Sequence, residues 1–202
     1  MPLGRGARKV RGVKEEYVAR RLCHAFKDKN RFIVWIPIEA YETKAQVDFF
    51  VSHEIAHALH YARTLDFYFQ TESEKYSIAR QLITEGVATY LAMKITGAYE
   101  EDALWADYLP IGERTRWMEE CKQKRAELFQ FCVKNFNTTN REFFEANKPN
   151  DIYRYRAGYY VGLKITEKIF IDTNGMEAMN LLEVPRKEFE QLALQALRTW
   201  YS

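Results

Sequence analysis

Residues 49–64 read FFVSHEIAHALHYART and place three of the chain's four histidines within eight residues. At about 100° per residue, His53, His57 and His60 fall on one side of a helix. The apolar residues form a separate stripe, which we expect to face the core: Val47, Val51, Ile55, Ala58, Ala62 and Leu65. The pattern predicts a helix over residues 43–64 with a core face and a distinct histidine face.

His53 and His57 are four residues apart, so their Cβ atoms lie roughly 5–6 Å apart on a helix. At that separation both rings reach a single ion, and neutral imidazole nitrogens are common zinc ligands. Glu54 points away from direct ligation but can reach a water on the metal. His-Glu-x-x-His on a helix is typical of a zinc site in which the glutamate acts as general base. The competing interpretation is a solvated or capped helix face on which histidines only fill space.

A catalytic zinc site usually has three protein ligands and leaves one position for water. One zincin variant takes a third histidine at position 63 after a glycine at position 60, but this chain has Arg63 and His60 there. In QLITEGVATYLA, Glu85 shares a helix face with apolar residues: Ile78, Leu82 and Ala92. A buried carboxylate is costly unless it is paired or bound to a metal. We therefore predict Glu85 as the third ligand; the alternative is a buried glutamate hydrogen-bonded to a tyrosine or to backbone.

The rest of the sequence predicts a mostly helical chain with one short strand. RFIVWIPIE, at residues 31–39, is rich in β-branched and aromatic residues and predicts the strand. Thr71 and Glu74 form a capping-box pattern for the second helix. This helix begins either at Thr71 or later, near Ser77, and ends near Gly97. The remaining predicted helices are residues 12–26, 111–136, 155–171 and 185–200, with a short one near 139–142.

Composition limits the class of protein. The 202 residues are 47% hydrophobic, which predicts one globular domain over residues 1–202, with residues 1–12 as a disordered basic arm. A net charge of +2 argues against nucleic acid as a partner. Cys23, Cys121 and Cys132 form no Cys-x-x-Cys pair, which favours a reducing compartment. No secretory signal or membrane-spanning run is visible, so we expect a cytoplasmic protein that has no membrane partner.

HEIAHALH followed by ITEGVATYLA resembles the gluzincins, and the later RAGYYVGLKI is similar to a stretch in small bacterial predicted zinc-dependent peptidases. The resemblance implies an α+β, predominantly helical, zincin-like fold with a small N-terminal sheet, a motif helix and a helical C-terminal half. It also implies one zinc ion (Zn²⁺) on His53, His57 and Glu85, with Glu54 as the general base. Where thermolysin-like enzymes carry an aspartate, four residues beyond the ligand glutamate, this chain has Thr89, a weaker hydrogen-bonding support for a ligand histidine.

The implied reaction is hydrolysis of a peptide or protein substrate by a metal-activated water. Its oxyanion needs a donor besides the metal, and the tyrosines and arginines of residues 153–160 are the densest source; we favour Tyr159. For each of these tyrosines the alternative role is packing. Residues 33–36 are the expected edge strand for the substrate backbone. The second hypothesis for the chain is a catalytically inactive zincin-like protein that binds a partner. His60 is expected beside the site, and substrate preference and oligomeric state stay open.

Overall fold

The computed structural model describes residues 24–37, 41–105, 108–173 and 177–199. A β-hairpin comes first, and the other described elements are helical. The strands are β1 (His24–Asp28) and β2 (Arg31–Trp35); the α-helices are α1 (Lys44–Arg63), α2 (Glu72–Lys75), α3 (Ile78–Thr96), α4 (Glu100–Trp105), α5 (Ile111–Gln123), α6 (Arg125–Asn135), α7 (Ala157–Asp172) and α8 (Arg186–Thr199). Short 3-10 turns cover Leu65–Phe67, Glu142–Phe144, Ile152–Arg154 and Ala178–Glu183. The basic arm, Cys23 and most of the first predicted helix lie outside the described residues.

The hairpin contains the predicted strand and one that the sequence did not predict. β1 and β2 are antiparallel, with Ala25 opposite Val34 and Phe26 opposite Ile33. The prediction of helix for residues 24–26 is therefore wrong, because pairing with β2 outweighs the helical spacing that Phe26 shared with residues upstream. The ring of Phe32 lies 5.7 Å from that of Tyr61, which attaches the sheet to α1.

Helix α1 has the predicted bounds, but the face that it buries is the histidine face and not the expected apolar stripe. Thr43 caps it by accepting the Gln46 N–H. His53 and His57 are buried, whereas Ile55 of the expected core stripe is 43% exposed. None of the six residues of the apolar stripe is fully buried, so this stripe is not the core face of α1. The histidine face is buried because its imidazoles find a carboxylate and aromatic rings inside the protein.

Helices α3 and α7 cross at the centre of the protein. α3 begins after its cap Ser77, and Gly97 ends it in the left-handed conformation, with φ of 69°. The Thr71 capping pattern belongs to the separate short helix α2, so the later start is the correct one. Gly86 meets Gly162 of α7 so closely that a Cβ on Gly86 would lie 2.5 Å from the Gly162 carbonyl carbon. The absence of a side chain at Gly86 thus allows the backbone of α7 to approach α3 closely.

The remaining helices cover the other side of α3 and α7. The helix predicted over residues 111–136 is divided at Lys124 into α5 and α6. α8 begins directly after Pro185, as expected for a proline at a helix start. Among the described residues, no helix combines the length and apolar character needed to cross a membrane.

Candidate metal centre

Three side chains from α1 and α3 converge at one point. The Nε2 atoms of His53 and His57 are 3.1 Å apart, and the Glu85 Oε2 atom lies 3.2 Å from the first and 3.3 Å from the second. We call these three atoms the ligand triangle. Both histidines are buried, and the Glu85 side chain is 16% exposed. Among the His, Cys, Asp and Glu side chains of the described residues, His53, His57 and Glu85 are the group that lies close enough together to hold a metal ion.

The size of the ligand triangle fits zinc. Ligand atoms at about 2.0–2.1 Å from a tetrahedral zinc ion are separated by about 3.3 Å, which is the edge of such a tetrahedron. The observed edges of 3.1–3.3 Å match that separation on all three sides. Three converging ligands leave the fourth vertex of the tetrahedron for a water or substrate atom.

Backbone geometry explains why the three atoms meet. His53 and His57 are one helical turn apart on α1 and reach the site without any loop. Glu85 precedes Gly86, whose contact with Gly162 fixes α3 against α7. A rigid crossing thus holds the carboxylate against the two imidazoles, as expected for a site built on helices.

The charges in the site are strongly coupled. Burial acts to raise the pKa of Glu85, but the two histidines outweigh it and hold that pKa well below its usual range. Burial lowers the pKa of His53. Burial also acts against the charged form of His57, yet Glu85 beside it leaves the pKa of His57 raised. A carboxylate held ionised beside imidazoles is a donor set suited to a divalent cation.

Glu54 lies next to the ligand triangle and is not part of it. Its Oε2 atom accepts a hydrogen bond from the Ala25 N–H of β1 at 3.0 Å. Burial raises the pKa of Glu54 to about 7, against the opposing effects of His57 and this hydrogen bond. The strand that contacts Glu54 is therefore β1, and the expectation that residues 33–36 pair with the substrate backbone stays a prediction.

Tyr159 lies near His53, on the first turn of α7. Its ring centre is 6.4 Å from that of His53. Burial and then the charge of Glu85 raise the pKa of Tyr159, so the phenol stays protonated. The guanidinium of Arg156 covers its ring at 4.0 Å. Arg156 has a left-handed backbone with φ of 60°, an uncommon conformation for a non-glycine residue.

His60 and Thr89 do not support the ligands. Within the described part of the chain, neither ring nitrogen of His60 has a hydrogen-bond partner, and its ring packs 4.4 Å from that of Phe67. The Thr89 hydroxyl and the His53 Nδ1 atom are likewise buried without a hydrogen bond. The expectation that Thr89 supports a ligand is therefore wrong, and His60 makes no hydrogen bond to a ligand; that the His60 ring forms part of the wall beside the site stays a prediction. The His60 ring packs against the Phe67 ring in the core.

Sequence reasoning missed the residues that support His57. The Tyr61 hydroxyl lies 3.5 Å from the His57 Nδ1 atom and accepts a hydrogen bond from Arg80 at 2.9 Å. The available signal was the position of Tyr61, one helical turn beyond His57. Arg80 lies on α3 with Glu85 and forms no ion pair with that carboxylate.

A comparison with known protein families shows the family to which the chain belongs. The family described as "Predicted Zn-dependent protease (DUF2268)" matches residues 22–191, which include the ligand triangle, Glu54 and Tyr159. No curated protein and no solved structure matches the chain. Because the match covers most of the 202 residues, the chain belongs to this family of predicted zinc-dependent proteases.

Proposed function

We propose that the chain is a zinc-dependent peptidase of the gluzincin type, in which His53, His57 and Glu85 hold one zinc ion. The observation that carries the proposal is the ligand triangle, whose edges of 3.1–3.3 Å fit a tetrahedral zinc ion. Glu54 beside it provides a carboxylate that is not needed for ligation. When bound, zinc supplies a Lewis acid that makes water nucleophilic near neutral pH and polarises a carbonyl group.

Glu54 is the proposed general base. Its pKa of about 7 suits a group that takes a proton and later gives it to a leaving amine near neutral pH. The Ala25 N–H holds Oε2, and the other carboxylate oxygen takes the proton. β1 therefore has a direct part in the site because it fixes the orientation of the base.

Tyr159 is the proposed donor to the oxyanion of the substrate. Its raised pKa keeps the hydroxyl proton available for donation at any physiological pH. Arg156, stacked on the ring, restricts its movement. Removing one donor of this kind from an enzyme typically lowers kcat by about 10²–10³-fold.

The proposed substrate is a peptide or protein in an extended conformation. Extended peptides bind proteins by pairing with a free strand edge, and in the described two-stranded sheet the edge of β2 away from β1, around residues 33–36, is the proposed one. A reducing compartment such as the cytoplasm is consistent with Cys121 and Cys132, which are both buried and free.

The test compares wild type with Glu54→Gln on a mixed peptide library, with zinc bound to both. We expect Glu54→Gln to keep zinc and to lose hydrolysis by at least about 10²-fold. Glu188→Gln, on the exposed side of α8, is the matched control and should hydrolyse like wild type. Hydrolysis unchanged by Glu54→Gln would reject this mechanism, and a zinc-loaded wild type without hydrolysis would favour the inactive partner-binding alternative.

A further inference from the structure

We propose that Tyr61, fixed in place by the buried cation Arg80, is the positioning residue that orients His57 as a metal ligand. The inference rests on the proposed zinc site. It assigns a role to two residues that lie outside the ligand triangle and whose role the family description leaves open.

Three groups form a continuous chain of contacts. The Arg80 Nη2 atom donates to the Tyr61 hydroxyl at 2.9 Å, and that hydroxyl is 3.5 Å from the His57 Nδ1 atom. The ring planes of His57 and Tyr61 are nearly parallel, at 18°, with centres 5.7 Å apart. Because Tyr61 is one turn beyond His57 on the same helix, this arrangement does not depend on a loop.

Arg80 is an unusual residue to find in this position. Its side chain is 3% exposed, and among the described residues it forms no ion pair with a carboxylate. Its other two donor nitrogens bond to backbone carbonyls, those of Phe67 at 2.7 Å and Lys75 at 3.3 Å. Burying a charge is expensive unless its hydrogen bonds are satisfied. Within the part of the chain that the structure describes, Tyr61 is the one side chain that receives a hydrogen bond from this cation, and it neighbours a proposed ligand.

The permanent charge of Arg80 determines how Tyr61 can act. A guanidinium does not lose its proton in a protein, so Arg80 always donates and the Tyr61 oxygen always accepts from it. The hydroxyl is therefore held at one position, with its second lone pair available to another donor. Burial raises the pKa of Tyr61 to about 12, so the group stays a neutral phenol.

Metal ligation is strengthened by such an acceptor. When the Nε2 atom of a neutral histidine binds a metal, its Nδ1 atom carries the proton, and a hydrogen-bond acceptor for that proton fixes the ring orientation. The Tyr61 oxygen is the group that the structure provides for the His57 Nδ1–H. The Nδ1 atom of His53 is buried without a hydrogen-bond partner among the described residues. Tyr61 therefore supports one of two histidines, and its removal would leave both unsupported.

The experiment measures zinc affinity by competition with a chromophoric chelator, independently of hydrolysis. Tyr61→Phe keeps the ring and removes the hydroxyl, and we expect zinc to bind about 10–100-fold more weakly. Arg80→Lys should weaken zinc binding in the same direction, because an ammonium lacks the guanidinium fork that holds the hydroxyl. Tyr68→Phe is the matched control: its hydroxyl accepts only the exposed Lys27 N–H at 3.2 Å, and zinc affinity should stay within about threefold of wild type.

Two further measurements separate positioning from folding. The metal-free Tyr61→Phe protein should still unfold cooperatively, at a lower melting temperature than Tyr68→Phe because the buried Arg80 loses one acceptor, so zinc affinities are compared well below both melting temperatures. The visible spectrum of the cobalt(II)-substituted protein should change only in Tyr61→Phe. Equal zinc affinity in Tyr61→Phe and Tyr68→Phe would overturn the inference while leaving the proposed function intact. A wild-type protein that binds no zinc would overturn both.

Discussion

Replacing Gly86 with alanine tests whether the crossing of α3 and α7 sets the position of Glu85. The new Cβ would lie 2.5 Å from the Gly162 carbonyl carbon and 2.7 Å from the Thr166 Oγ1 atom. Carbon atoms in ordinary contact are about 3.5–4.0 Å apart, so the two helices have to separate by about 1 Å. The Gly162 carbonyl cannot yield by a simple rotation, because it is backbone inside a helix.

The energetic cost follows from the overlap. Overpacking of this size destabilises a protein by about 1–3 kcal/mol. The higher helix propensity of alanine returns at most about 1 kcal/mol. Glu85 is the next residue along α3, and a shift of about 1 Å exceeds the roughly 0.2 Å tolerance of metal–ligand distances. We therefore expect Gly86→Ala to lower the free energy of unfolding and to weaken zinc binding by at least about tenfold.

Urea unfolding and chelator competition measure the two effects. Gly112→Ala is the matched control, because its Cβ would meet no heavy atom within 4 Å. That variant should be as stable as wild type or slightly more so, with unchanged zinc affinity. If Gly86→Ala and Gly112→Ala gave the same unfolding midpoint and the same zinc affinity, the reasoning from the helix crossing would be refuted.

Two other predictions concern a core histidine and the proposed oxyanion donor. Burial lowers the pKa of His60 to about 3 in the folded state, whereas the pKa of a histidine in the unfolded chain is about 6.5. Between these two pH values, only the unfolded state binds a proton at His60. As the pH is lowered from about 6.5, this group should therefore reduce the free energy of unfolding by up to about 1.4 kcal/mol per pH unit. His60→Leu should show a shallower pH dependence of its urea midpoint than wild type. Equal slopes in the two proteins would contradict this. Tyr159→Phe should lower kcat about 10²–10³-fold in steady-state hydrolysis assays with zinc content and KM nearly unchanged, and an unchanged kcat would remove Tyr159 from the mechanism.

The sequence predicted the parts of the site that depend on helical spacing. His53 and His57 are neighbours on any helix, and Glu85 stood out because a carboxylate on an apolar stripe needs a partner. The structure brings these side chains together. The same spacing failed for the orientation of α1, where an apolar stripe containing Ile55 was expected inside. Burial of His53 and His57 is favourable because α3 supplies Glu85, and no periodicity within one helix contains that information.

Contacts between distant segments explain the other failures. β1 forms because β2 pairs with it and because Glu54 accepts the Ala25 N–H, and both contacts depend on chain folding rather than on local preference. Helical spacing within α3 gives no information about what the long side chain of Arg80 reaches on another helix. The contacts of Tyr61 with Arg80 and His57 therefore became visible only in the structure.

Metal analysis of purified protein tests the central claim most directly. Wild type, Glu85→Ala and the control Glu188→Ala are dialysed against zinc, freed of excess ion and measured for zinc per chain. We predict about one zinc per chain in wild type and in Glu188→Ala, and little or none in Glu85→Ala, because two histidines alone leave the site with too few ligands. Equal zinc content in all three proteins, or none in wild type, would contradict a metal centre formed by His53, His57 and Glu85.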